Sequence, residues 1–94
     1  MKISILLPYK ENFSPEYPGA VSLFVYETSR ISKFKKNITV YGNTNFKEIF
    51  KLKYININTT KAFFNSQTKN YVNDFIKLER KKNSSIIEVH NRPS

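Results

Sequence analysis

His90 is the one imidazole in 94 residues, and it stands where a short apolar run opens into polar side chains, Ile86-Ile87-Glu88-Val89-His90-Asn91-Arg92. An imidazole in that place can donate to a sugar hydroxyl or take a proton near neutral pH, or it can simply bond a backbone carbonyl. If the run is a strand, its two-residue period puts Glu88 and His90 on one face and Val89 on the other. Carboxylate and imidazole are then expected to share a crevice, with Asn91 and Arg92 following them. Arg92 suits a phosphate or carboxylate, or else stays in solvent. Near the other end of the chain, Gly19 precedes Ala20 and a helical pattern. A missing Cβ there lets a ligand approach the N–H groups of a helix start, or it only turns the chain. Glu11 and Glu16, in the loop before it, are acceptors for sugar hydroxyls or exposed loop charges.

Other chemistries are excluded by composition. There is no cysteine, so thiol nucleophiles, disulfides and thiolate metal sites are all absent, and one histidine cannot make a histidine-rich metal cluster. Gly19 and Gly42 are the only glycines. Neither the dinucleotide fingerprint nor the Walker loop can be built from two, which removes the usual NAD-dependent dehydrogenase and the P-loop kinase. The net charge of +9 comes from 16 cations against 7 anions. Lys33, Lys35 and Lys36, then Lys51 and Lys53, then Arg80, Lys81 and Lys82 are spread along the chain, as suits helix C-termini and a solvated surface. An anionic membrane surface is the next reading and nucleic acid the last. Phe24, Phe34, Phe63, Phe64, Tyr71 and Phe75 are expected in the core, which leaves no aromatic-basic stripe on which bases could stack. The N-terminal apolar run is cut at Pro8, too short for a signal-peptide core or a membrane span, so a cytoplasmic site is expected.

These residues need elements to hold them. Ile3 to Leu7 reads as a strand buried on both faces, and Tyr9 to Pro18 as a loop. From Gly19 the period becomes helical: Ala20, Phe24, Glu27, Thr28, Ile31 and Phe34, widened by Leu23, form the predicted buried stripe, ending near Asn37. Ile38 to Tyr41 predicts a second strand, Phe46 to Phe50 one or two helical turns, and Tyr54 to Ile57 a weaker third strand. Thr59 or Thr60 can cap a segment holding Phe63 and Phe64. A helix from Gln67 to Lys82 turns Tyr71, Val72, Phe75, Ile76 and Glu79 to one side, and Ile86 to Val89 supplies the fourth strand. The alternation predicts an α/β domain, a Rossmann-like parallel sheet of four strands in the order 3-2-1-4. The first and fourth strands would then lie side by side, with their carboxyl ends meeting at a switch point.

Lys2-Ile3-Ser4-Ile5-Leu6-Leu7-Pro8, a loop, then Pro18-Gly19-Ala20-Val21 and a long helix resembles the opening of GT-B glycosyltransferases, in particular the retaining family 4, or group 1. Ile86-Ile87-Glu88-Val89-His90-Asn91-Arg92-Pro93-Ser94 is similar to that family's fourth-strand segment. Pro18 departs from the usual paired glycine, Glu88 from a frequent first histidine, and Ser85 from the leading aspartate. The resemblance implies that residues 1–94 are an incomplete N-terminal, acceptor-side half-domain, inactive alone, with the C-terminal donor-binding domain lying beyond it. It implies transfer of a sugar from a nucleotide-diphosphate donor, a substrate rather than a cofactor, to a glycan or lipid-linked acceptor, as in cell-envelope polysaccharide synthesis, with no metal required. Gly19 and Ala20 would face the diphosphate, and Glu88, His90, Asn91 and Arg92 the acceptor, with His90 the catalytic candidate. The basic surface would suit peripheral contact with an anionic inner membrane face. A small basic module binding nucleic acid or an acidic protein is the rival class.

Overall fold

The computed structural model describes residues 2–58, 67–82, 84 and 86–90. Four strands form one sheet: β1 (Ile3–Leu6), β2 (Ile38–Gly42), β3 (Tyr54–Asn56) and β4 (Ile86–Val89), ordered β3-β2-β1-β4 and parallel throughout. The predicted order is therefore the one found. β1 and β4 are neighbours in register, Ile3 with Ile86 and Leu6 with Val89. The His90 N–H continues the ladder to the Leu6 carbonyl at 3.0 Å.

Alternation along the strands divides the core in two. Ile5, Leu7 and Val40 face helix α1 (Ala20–Arg30), where they meet Val25 and the loop residue Phe13. Leu6 and Tyr41 face the other way, onto Tyr71 and Phe75 of helix α2 (Gln67–Lys82). β1 and β2 are thus covered on both sides, as their β-branched and aliphatic composition requires.

Three expectations fail on local physics. Helix α1 stops at Arg30 rather than near Asn37; a 3₁₀ turn at Lys35–Asn37 leads into β2. Residues 46–50 are not helical. They run as a strap whose Phe50 N–H bonds the Phe13 carbonyl at 3.2 Å, while Ile49 and Phe50 pack on the core. The third is the phase of α1. Its buried residues are Ser22, Val25 and Ser29, whereas Ala20, Leu23, Phe24, Glu27, Thr28, Ile31 and Phe34 are exposed. Two serines, small enough for the helix to lie close on the sheet, make a buried face that an apolar count does not see. Tyr71 and Phe75 are buried as expected and Glu79 with them, but Ile76 is not. Phe63 and Phe64, and the cap at Thr59 or Thr60, lie outside the described residues.

Candidate functional site

In a parallel sheet, ligands bind beyond the carboxyl ends of the strands. Here that edge carries the β1–α1 loop, the β2–β3 loop and His90.

The β1–α1 loop supplies what α1 lacks. The helix has no acidic residue in its first turn and no side-chain cap at Gly19, so its first N–H groups need acceptors from elsewhere. Glu11 fills that need: buried at 3% exposure, it accepts the Ser22 N–H at 3.1 Å. The Gly19 N–H in turn donates to the Asn12 carbonyl at 3.2 Å. Gly19 has φ −71° and ψ 160°, dihedrals open to any residue. It is needed for space, since a Cβ there would fall on the Glu11 carboxylate. The place where a phosphate would meet this helix N-terminus therefore holds the chain's own carboxylate. Gly19→Ala is expected to destabilise the protein by about 1–3 kcal/mol, the worth of a buried charge-assisted hydrogen bond. The same substitution should cost almost nothing once Glu11→Ala has vacated the space. Urea unfolding of the two single variants and the double variant measures this coupling; strictly additive costs would refute it.

Beside this lies a polar pocket of about 270 Å³ lined by Lys10, Asn12, Asn43, Thr44 and Asn45. Thr44 Oγ1 donates to Asn12 Oδ1 at 2.8 Å, the Thr44 N–H to Asn56 Oδ1 at 2.9 Å, and Asn43 Nδ2 to the Ile57 carbonyl at 2.8 Å. Lys10 is held with φ 62°, the left-handed conformation that a non-glycine residue adopts at a cost. Amides, a hydroxyl and an ammonium with no carboxylate among them match a polyhydroxylated ligand bearing negative charge. Asn12 joins the pocket to the α1 N-terminus. No motif marked this site in the sequence. Its one signal is that Asn43-Thr44-Asn45 directly follows the carboxyl end of a strand.

His90 and Glu88 do share a face. Nε2 and Oε1 lie 2.7 Å apart, with 21% of the imidazole side chain exposed and 52% of the carboxylate's. The carboxylate fixes the orientation of the ring, the arrangement of a general base and its orienting partner. Glu88 also borders the groove under α1, beside Thr28, Ser29 and Ser32. Among the described residues, the contacts of Gly19 run to Asn12, Glu11 and Leu23, and those of His90 to Leu6 and Glu88. Two subsites thus lie along one sheet edge. Ala20 is exposed at the α1 start. Glu16 is exposed, with its N–H on Ser14 Oγ at 3.2 Å; Glu11, by contrast, is buried, committed to the Ser22 N–H. Asn91 and Arg92 lie outside the described residues.

No family model, curated protein or solved structure matches this chain. Function must therefore be argued from the residues and their geometry. Among the described residues no cluster of three or more His, Cys, Asp or Glu could hold a metal ion, and no helix is long and apolar enough to cross a membrane.

Proposed function

We propose that this chain is the acceptor-side, N-terminal half-domain of a retaining glycosyltransferase of the GT-B kind. On this reading a separate C-terminal domain binds a nucleotide-diphosphate sugar, and the transfer goes to a glycan or lipid-linked acceptor. The observation that carries the reading is the parallel pairing of β1 with β4. It brings the loop holding Gly19 and the strand end holding Glu88 and His90 to one edge of one sheet. The amide-rich pocket at Lys10, Asn12 and Thr44 supports it further, because sugar hydroxyls are bound by such donor–acceptor sets. A cytoplasmic enzyme touching an anionic membrane through its lysines belongs to the same proposal.

The reading expects the coding sequence to continue past Ser94 into a second α/β domain containing two glutamates about one helical segment apart; a stop codon there would sink it. In the extended enzyme, His90→Ala is expected to lower kcat by roughly 10²-fold or more, the usual worth of a positioned acid or base. Asn12→Ala is expected to raise KM for the acceptor instead. Sugar transfer by both variants at the parent rate and KM would overturn the site while leaving the family reading standing.

A further inference from the structure

The turn that carries Lys10 is built against its own preference. The Glu11 N–H closes it on the Pro8 carbonyl at 3.2 Å, so Tyr9 and Lys10 are its central residues. Lys10 takes the second of these places with φ 62°, where a turn of positive φ favours glycine or asparagine. A lysine held there at a conformational cost points to a use for its ammonium.

The groups around it are oriented. Tyr9 packs on Tyr71 with ring centroids 5.4 Å apart, and Lys10 Nζ stands 5.6 Å from the Tyr9 centroid. Lys10 lines the polar pocket together with Asn12, Asn43, Thr44 and Asn45. Thr44 Oγ1 accepts the Phe46 N–H at 3.2 Å and gives its one proton to Asn12 Oδ1 at 2.8 Å. The Asn12 oxygen is thereby committed, and its amide offers N–H donors. Asn43 is fixed the other way: its Nδ2 donates to the Ile57 carbonyl at 2.8 Å, which leaves Oδ1 as an acceptor. An ammonium and an amide donor on one pocket wall hold a carboxylate or phosphate oxygen, while the acceptor takes sugar hydroxyls. At about 270 Å³ the pocket lies just below the roughly 300–1,000 Å³ of sites for drug-sized ligands. It suits one sugar ring and not a whole nucleotide sugar.

We propose that this pocket is a subsite for a monosaccharide unit bearing a negative charge, a uronate or a sugar phosphate, and that Lys10 sets its preference for the charged sugar over the neutral one. This deepens the reading above by giving the acceptor a charge, yet the binding it describes requires neither transfer nor a second domain.

Titrations of the 94-residue chain, followed by the amide shifts of Asn43 and Thr44, test it. The probes are the methyl uronides and methyl glycosides of glucose, galactose and mannose, the corresponding hexose 6-phosphates, and inorganic phosphate. At least one charged sugar is expected to bind about tenfold tighter than its neutral counterpart, the worth of one charge-assisted hydrogen bond. Whether uronate or phosphate binds tighter names the source of the charge. Lys10→Gly should abolish the preference while raising the urea midpoint, because glycine relieves the turn; misfolding is thereby excluded as the cause. Lys10→Arg should keep the preference. Neutral sugars bound as tightly as charged ones, no binding of any sugar, or inorganic phosphate bound as tightly as the sugar phosphates would each overturn the proposal. So would a preference that survives Lys10→Gly, or a midpoint that falls. Those failures leave a glycosyltransferase with a neutral acceptor standing, whereas a stop codon after Ser94 would leave this subsite standing.

Discussion

Phe13→Ala is expected to destabilise the protein by about 3–5 kcal/mol, the range for emptying a fully buried aromatic site. Phe13 belongs to no helix or strand, yet none of its surface is exposed. Its ring stacks on Tyr54 at 5.6 Å and 7° and meets Phe50 at 5.1 Å and Tyr26 at 6.3 Å, both edge-on. Tyr26 in turn stacks on Phe50 at 4.1 Å. Three aromatic rings, from α1, β3 and the β2–β3 loop, thus converge on one loop residue. Such pairs contribute roughly 0.5–1.5 kcal/mol each beyond area burial, so the loss should fall in the upper part of the range. Chemical denaturation measures it. A loss below about 1 kcal/mol would mean that the neighbouring rings collapse into the space. Removal of Phe13 should also disturb the site, because Glu11 and Asn12 precede it directly. Amide shifts at Gly19 and Ser22 would report that disturbance at denaturant concentrations where the variant is still folded.

This aromatic cluster shows what the sequence discloses and what it hides. The strand order was legible because each strand is a compact apolar run and the intervening lengths suit crossovers. Alternation points to a parallel sheet, and the 3-2-1-4 order expected of a Rossmann-like one sets β1 and β4, at opposite ends of the chain, side by side. The pairing of Glu88 with His90 was legible for the same reason, since a two-residue period fixes which side chains share a face. The phase of α1 was not legible. The helix buries Ser22 and Ser29 and exposes Phe24 and Ile31, and periodicity arguments assume that apolar residues point inward. That assumption fails where an apolar flank faces an open sheet edge. Phe13 was hidden for a related reason: a loop between Asn12 and Ser14 has no period from which burial could be read. The role of Glu11 depends on a contact with Ser22 across eleven residues, and local sequence carries no sign of it. The pocket at Lys10, Asn12 and Thr44 was missed because its walls come from two loops that only the sheet brings together.

Alkaline pH is expected to unfold this protein through its buried tyrosines. Burial pushes the Tyr71 phenol well above its ordinary 10.0. Burial and then the Glu79 carboxylate raise Tyr41, an effect the neighbouring Ser4 hydroxyl partly offsets. Both rings are almost wholly buried, at 1% and 0% exposure. The folded state therefore keeps protons that the unfolded chain sheds above pH 10. Stability is fully present below that pH and falls as pH rises, by up to about 1.4 kcal/mol per pH unit for each tyrosine. Burial raises Tyr54 strongly as well, so Tyr71 and Tyr54 together remove up to about 3 kcal/mol per unit, against a total of roughly 5–15 kcal/mol for a domain, and unfolding should be steep within a few units. Tyr71 also carries a structural bond, donating to the Leu7 carbonyl at 2.6 Å. Tyr71→Phe should accordingly cost about 1–2 kcal/mol at neutral pH and make the alkaline slope measurably shallower. Urea midpoints measured between about pH 8 and pH 12 separate the two effects; flat midpoints across that window in the parent chain would refute the argument. Leu7 is where β1 gives way to the loop that carries Lys10, Glu11 and Asn12. The phenol that holds α2 to the sheet is thus anchored at the carboxyl edge itself, and the pH that ionises it should loosen the site along with the fold.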